Sequence, residues 1–139
     1  MKTALSFADI SQRLHRTSIP EVDLVVGILR GGRVPACLVA HQLQRPLRFI
    51  HIRFRDKDNQ PFGPEPEVVV PPDAIPNDVG SILLVDDVSV TGKTMSAASL
   101  FFKGSEITTF VLKGSADIVL FPEVENCVTW PWNALGEAP

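Results

Sequence analysis

Two apolar runs of strand length, Asp23 to Leu29 (DLVVGIL) and Ser81 to Val85 (SILLV), each stop on a short polar loop and give way to a helix-like stretch. A run without an alternating polar face suits a strand buried on both sides, as in a parallel sheet covered by helices. After the first run comes Arg30-Gly31-Gly32-Arg33, then Val34, Leu38, Val39 and Leu43 at helical spacing, with Pro35 tolerated in a first turn. The second run leads through Asp86-Asp87-Val88-Ser89-Val90 into a helix over Thr91–Lys103, closed by Gly104 at its C′ position. Leu47–Phe54, Ile107–Leu112 and Ile118–Phe121 read as further strands, with a short one at Glu67–Val70. Ser6-Phe7-Ala8-Asp9 has the spacing of a capping box, and Phe7, Ile10 and Leu14 behind it mark a short amphipathic helix. Strands alternating with helices predict an α/β domain with a mainly parallel sheet.

A chain of 139 residues has material for one core, so residues 1–139 are expected to form a single domain. Apolar residues at 45% and charged residues at 21% place it among ordinary globular proteins and away from disordered or fibrous chains. Six of the twelve prolines fall in 55–80, a density that excludes a helix. A loop of that length in a small domain reads either as a flexible flap over a site or as a tether. No apolar run approaches the roughly 18 residues of a membrane span, and the N-terminus lacks the apolar core of a signal peptide. Cys37 and Cys127 have neither disulfide-framework nor metal-ligand spacing, which fits a reducing, cytoplasmic location. His15, His41 and His51 stand alone and read as surface or packing residues. The net charge is −3, yet no acid lies between Asp23 and Asp56 while six arginines do. Apart from Arg30 these read as solvated faces, and nucleic acid is not an expected partner.

In an open parallel sheet ligands bind beyond the carboxyl ends of the strands, which is where Arg30-Gly31-Gly32 and Asp86-Asp87 fall. The loop Val88–Thr94 runs into a helix, so free amides and a positive dipole end make an anion site, to which Ser89, Thr91 and Thr94 add hydroxyls. Gly92-Lys93-Thr94 imitates the end of a Walker A loop, but Asp87 occupies the position of that motif's first glycine. A phosphoacceptor receiver domain is excluded too, because too little chain follows Asp87 for its later strands. A sugar phosphate reconciles the acids with the anion loop: carboxylates accept from vicinal hydroxyls while the loop holds the phosphate.

Four apolar residues, two acids and a small-residue loop ending Thr91-Gly92-Lys93-Thr94 resemble the phosphoribosyl diphosphate (PRPP) motif of type I phosphoribosyltransferases. Leu29-Arg30-Gly31-Gly32 stands where that family has its pyrophosphate loop, and Arg30-Gly31-Gly32-x-Val34-Pro35 is similar to the bacterial xanthine-guanine branch. The resemblance implies the type I fold, a twisted parallel sheet with helices, a small hood whose C-terminal part is 122–139, and a flap at Asp56-x-Asp58-Asn59-Gln60. It implies transfer of the 5-phosphoribosyl group from PRPP to a nucleobase, releasing pyrophosphate, in a homodimer with Mg²⁺. Arg30, Asp86 and Asp87 would be catalytic, with Asp87 on the metal. PRPP would lie on Leu29, Arg30, Gly31, Gly32 and on Val88, Ser89, Val90, Thr91, Gly92, Lys93 and Thr94. Lys113, Cys127 and Val128 would meet the base. The resemblance also implies a cis peptide before Arg30.

Two positions depart from the six-oxopurine pattern. Val90 stands where those enzymes carry an aspartate near purine N7, and Cys127 where an aromatic ring stacks on the purine; Trp130 or Trp132 would then supply a ring from a shifted register. Both departures leave open a PRPP- or nucleotide-responsive regulator with the same fold and little turnover.

Overall fold

The computed structural model describes residues 2–53, 67–70 and 79–133, with side chains over 3–53 and 79–133. Strands β1 (Lys2–Ala4), β2 (Leu24–Leu29), β3 (Leu47–Arg53), β4 (Glu67–Val70), β5 (Ser81–Ser89), β6 (Glu106–Gly114), β7 (Ile118–Val119) and β8 (Cys127–Thr129) alternate with helices α1 (Phe7–Arg16), α2 (Arg33–Leu43) and α3 (Lys93–Phe101). Six strands form one sheet in the order β4-β3-β2-β5-β6-β7, parallel except for the antiparallel β3–β4 pair. This is the α/β architecture that the apolar runs predict.

The chain leaves β2 toward β3 through α2, and leaves β5 toward β6 through α3, so the two crossovers run in opposite directions from the central β2–β5 pair. Right-handed connections in opposite directions put their helices on opposite faces. Two cores result, one on each side of the sheet. Val25, Leu83, Val85, Phe110 and Leu112 pack with Ile10 and Leu14 of α1 and Ala36, Val39 and Ala40 of α2. Leu24, Val26, Ile28, Ile82, Leu84 and Val111 pack with Met95, Ala98 and Phe102 on the α3 side. Alternate residues of one apolar run thus feed two cores, which is why the run shows no alternation. Gly27 brings α2 close: a Cβ there would lie 2.6 Å from the Ala36 Cβ.

The structure corrects several sequence-derived boundaries. The strand expected to stop at Val85 runs on through both aspartates to Ser89, because β6 pairs alongside it as far as Gly114. The expected Thr91–Lys103 helix is trimmed at both ends to Lys93–Phe101. Leu120 and Phe121 lie past β7 yet still donate to the Val111 and Leu112 carbonyls at 3.0 and 2.9 Å, continuing the edge of the sheet. A separate parallel pair, β1 with β8, joins Lys2–Ala4 to Cys127–Thr129 and was not legible in the sequence. The capping box is present: Asp9 N donates to Ser6 Oγ at 3.0 Å and Ser6 N to Asp9 Oδ2 at 2.8 Å. Of the flap span, only 67–70 and 79–80 are described, and Asp56 to Gln60 lie outside the described residues.

Candidate functional site

A doubly wound sheet opens a crevice where its strand order reverses, outside the carboxyl ends of the two central strands. Here that point lies between β2 and β5, and the sequence places Arg30-Gly31-Gly32 at the end of one and Asp86-Asp87 near the end of the other. The two loops touch. A Cβ on Gly31 would lie 2.5 Å from Asp87 Oδ1 and 2.6 Å from Oδ2, so only a glycine lets the loop close against that carboxylate. Gly32 is equally enclosed, 2.6 Å from a built Cβ to the Ile28 carbonyl oxygen, and its amide donates back to that oxygen at 2.8 Å. The Leu29–Arg30 peptide is cis, as the resemblance implies. Arg30 itself is exposed at the mouth.

The adjacent acids occupy different surroundings. Asp86 is 9% exposed, and its Oδ1 accepts the Asp87 amide at 2.8 Å. Burial, reinforced by the neighbouring Asp87 carboxylate, pushes the Asp86 carboxyl well above its ordinary range. Asp87 is half-buried on the Gly31 side, and its Oδ1 accepts the Val88 amide at 2.7 Å.

Both helices that start at this crevice lack side-chain caps. The N-caps of α2 and α3 are Gly32 and Gly92, which have no side chain to cap with, and neither first turn holds an acid. Helix α1, whose start is elsewhere, has the full Ser6–Asp9 box. Uncapped amides and two positive dipole ends at one crevice favour an anion. Gly92 takes φ 81°, the left-handed turn that joins β5 to α3. The expected loop Val88–Thr94 is correspondingly shorter: Val88 and Ser89 belong to β5, Val90–Gly92 form the turn, and Lys93 and Thr94 open α3. Ser89 is 7% exposed, and its carbonyl accepts the Ser115 amide at 2.9 Å. Thr91 Oγ1 accepts the Lys93 amide at 3.3 Å. Val90 projects from this turn at 83% exposure.

Lys113 lies on β6 directly beside Val88 of β5, which places it at the same edge as the aspartates. Cys127 and Val128 stand on β8 of the two-stranded sheet, opposite Lys2 and Thr3. Cys127 is exposed and has no disulfide. Of the two tryptophans expected to offer a stacking ring, Trp130 is 4% exposed and its ring stacks on that of Trp132 at 5.5 Å and 5°, while Trp132 is half-buried. What sequence reasoning missed is the Gly31–Asp87 contact and the β1–β8 pair, both made between residues far apart in the chain.

Residues 2–110 match the family model for the phosphoribosyl transferase domain. The chain belongs to the phosphoribosyl transferase domain family. The match takes in β2, α2, β5 and α3, and with them both crevice loops, but stops short of Lys113 and β8. A xanthine-guanine phosphoribosyltransferase of Cereibacter sphaeroides is 34% identical over 108 residues, which make up 76% of this chain and 60% of that relative. The purine phosphoribosyltransferase of Pyrococcus horikoshii shares the fold of this phosphoribosyl transferase domain with a TM-score of 0.73 at 24% identity, over 99% of this chain and 97% of that one. A Neisseria gonorrhoeae protein solved with bound ppGpp shares it at 0.70 and 23% identity, over 97% and 92%. No helix among the described residues is long and apolar enough to cross a membrane.

Proposed function

We propose that this chain transfers the 5-phosphoribosyl group of PRPP to a purine base, releasing pyrophosphate and a nucleoside 5′-monophosphate. The contact of Gly31 with the Asp87 carboxylate at the sheet's switch point carries the reading, because it joins an anion loop to a sugar-hydroxyl acceptor. Asp86 and Asp87 accept the ribose hydroxyls, and the uncapped start of α3 with Thr91 and Thr94 holds the 5-phosphate. Arg30 and the loop amides stabilise the negative charge that gathers on the departing pyrophosphate. Lys113 donates to the base, and Cys127 and Val128 of the hood line its other side.

Mg²⁺ fits the donor set. Among the described residues no three His, Cys, Asp or Glu side chains gather into a protein cage. A carboxylate pair facing a phosphate loop is the sparse oxygen site that Mg²⁺ accepts, since it keeps waters and substrate phosphates as its other ligands. Asp87, on the open side of the pair, is the residue that would hold it, and the bound ion supplies positive charge to the leaving group. A cytoplasmic homodimer belongs to the same reading, and sedimentation at twice 15.2 kDa would support the dimer.

Val90 favours a second reading, a PRPP- or nucleotide-responsive regulator, because a valine 83% exposed in the turn has no proton to exchange with a purine. One experiment separates the two. The protein is incubated with PRPP, Mg²⁺ and each of guanine, hypoxanthine, xanthine, adenine, orotate and uracil, and pyrophosphate is followed. Release with a purine is expected; PRPP binding without release from any base would replace the transferase with the regulator.

A further inference from the structure

One surface side chain makes more contacts than its exposure would suggest. Arg13, on α1, donates through Nη1 to the Leu120 carbonyl at 2.7 Å and to Glu123 Oε1 at 3.0 Å, and through Nη2 to Glu123 Oε2 at 2.6 Å. Its Cζ also sits 4.5 Å from the centroid of the Phe121 ring. A single guanidinium thus grips a carbonyl, a ring and both oxygens of a carboxylate within four consecutive residues. Hydrogen bonding to Arg13 holds the Glu123 carboxyl down at about 2, so the pair stays ionised at any working pH.

Exposed ion pairs contribute little to stability. Leu120 and Phe121 are already fixed by burial and by their hydrogen bonds to β6. The contact that adds something is the one to Glu123, in the turn where the Val124 amide donates to the Phe121 carbonyl at 3.2 Å. Behind that turn lies the edge of β6, which carries Lys113; ahead of it lies β8, which carries Cys127 and Val128. Arg13 also belongs to the helix that follows β1, the partner of β8. The same residue therefore ties the strand pair of the hood, through α1, to the segment leading into it.

Resting on the proposed transfer to a base, we infer that Arg13, through Glu123, is a positioning residue that sets the spacing between Lys113 and the hood strand and so governs base affinity without touching the base. A calorimetric comparison on the full chain tests this. Ribose 5-phosphate reads the phosphate and ribose contacts alone, and GMP, IMP and AMP read the same contacts plus the base. For Arg13→Ala, binding of the nucleotide that the wild type prefers weakens about tenfold while ribose 5-phosphate binds as before, and Arg13→Lys falls between. Unchanged nucleotide affinity in Arg13→Ala, or an equal loss for ribose 5-phosphate, would overturn the inference. If Arg13→Ala does not unfold cooperatively, Glu123→Gln takes its place, since it keeps the carbonyl and ring contacts; there too, undiminished nucleotide affinity would overturn it. A wild type that binds no nucleotide more tightly than ribose 5-phosphate would instead overturn the transfer to a base, and with it the surface that Arg13 is inferred to position.

Discussion

Asp86 and Asp87 are neighbours in sequence, but the strand turns one inward and leaves the other against Gly31. That contact makes Gly31 as consequential as the acids. Gly31→Ala would drive a methyl group into the Asp87 carboxylate, and displacing a charged acceptor from a ligand hydroxyl costs about 1.5–3 kcal/mol. PRPP affinity in the variant is accordingly expected to fall by roughly ten- to a hundredfold, measured by calorimetry with the fold checked by circular dichroism. Val90 gives the opposite kind of prediction. Because the side chain is 83% exposed, Val90→Asp should leave stability within about 0.5 kcal/mol. Where the base is a six-oxopurine, an aspartate here would act as general base and raise kcat by about 10²–10⁴. A panel of kcat values for hypoxanthine, guanine and adenine checks it, and no gain with any of them would remove the general-base role from this position. The types of these residues could be read from the sequence. Their environments could not, since Gly31 and Asp87 meet only when β2 and β5 pair.

Elements two and three turns long are decided at their ends. The sequence reading ended β5 at the last apolar residue, because a carboxylate looks like the end of a buried run. The strand instead continues while β6 runs beside it, pairing Asp86 with Val111, Val88 with Lys113 and Ser89 with Gly114. A partner strand some twenty-five residues away sets that boundary, and no local pattern reports it. Helix α3 starts later than its spacing predicts because Gly92 is spent on the left-handed turn at φ 81°. A Cβ on Gly92 would meet nothing within 4 Å, so the glycine is required by its dihedral and not by crowding. Gly92→Ala should therefore cost about 1–2 kcal/mol, the strain of a left-handed alanine, and lower the thermal midpoint by a few degrees. Strands β1 and β8, three residues each, carry too little pattern to be read, and among the described residues each pairs with the other alone.

Two carboxyl groups give the whole molecule opposite dependences on pH. Asp86 has its folded carboxyl raised above the ordinary 3.8, so its contribution to stability is complete below that value and is lost as pH rises through the folded value. Glu123 works the other way: lowered from 4.5 to about 2, it contributes above 4.5 and that contribution is lost as pH falls toward 2. Asp86→Asn keeps an oxygen for the Asp87 amide and removes the buried charge. Without ligand or divalent cation, this variant should melt above the wild type at pH values where the buried wild-type carboxyl is ionised. The gap should close as pH is lowered and the wild-type acid becomes neutral, which a series of melting curves would follow. The fold and the residues that meet at the β2–β5 crevice were legible because apolar runs and the loops that end them are local. The β1–β8 pair was not, because it joins segments far apart in the chain. The β1–β8 pairing also dictates an order of events on the ribosome. Both crevice loops have emerged, with the strands and helices that present them, while Lys2–Ala4 still waits for a neighbour that is translated after them. A nascent chain can thus fold the crevice and the strands that carry it before the β1–β8 pair exists.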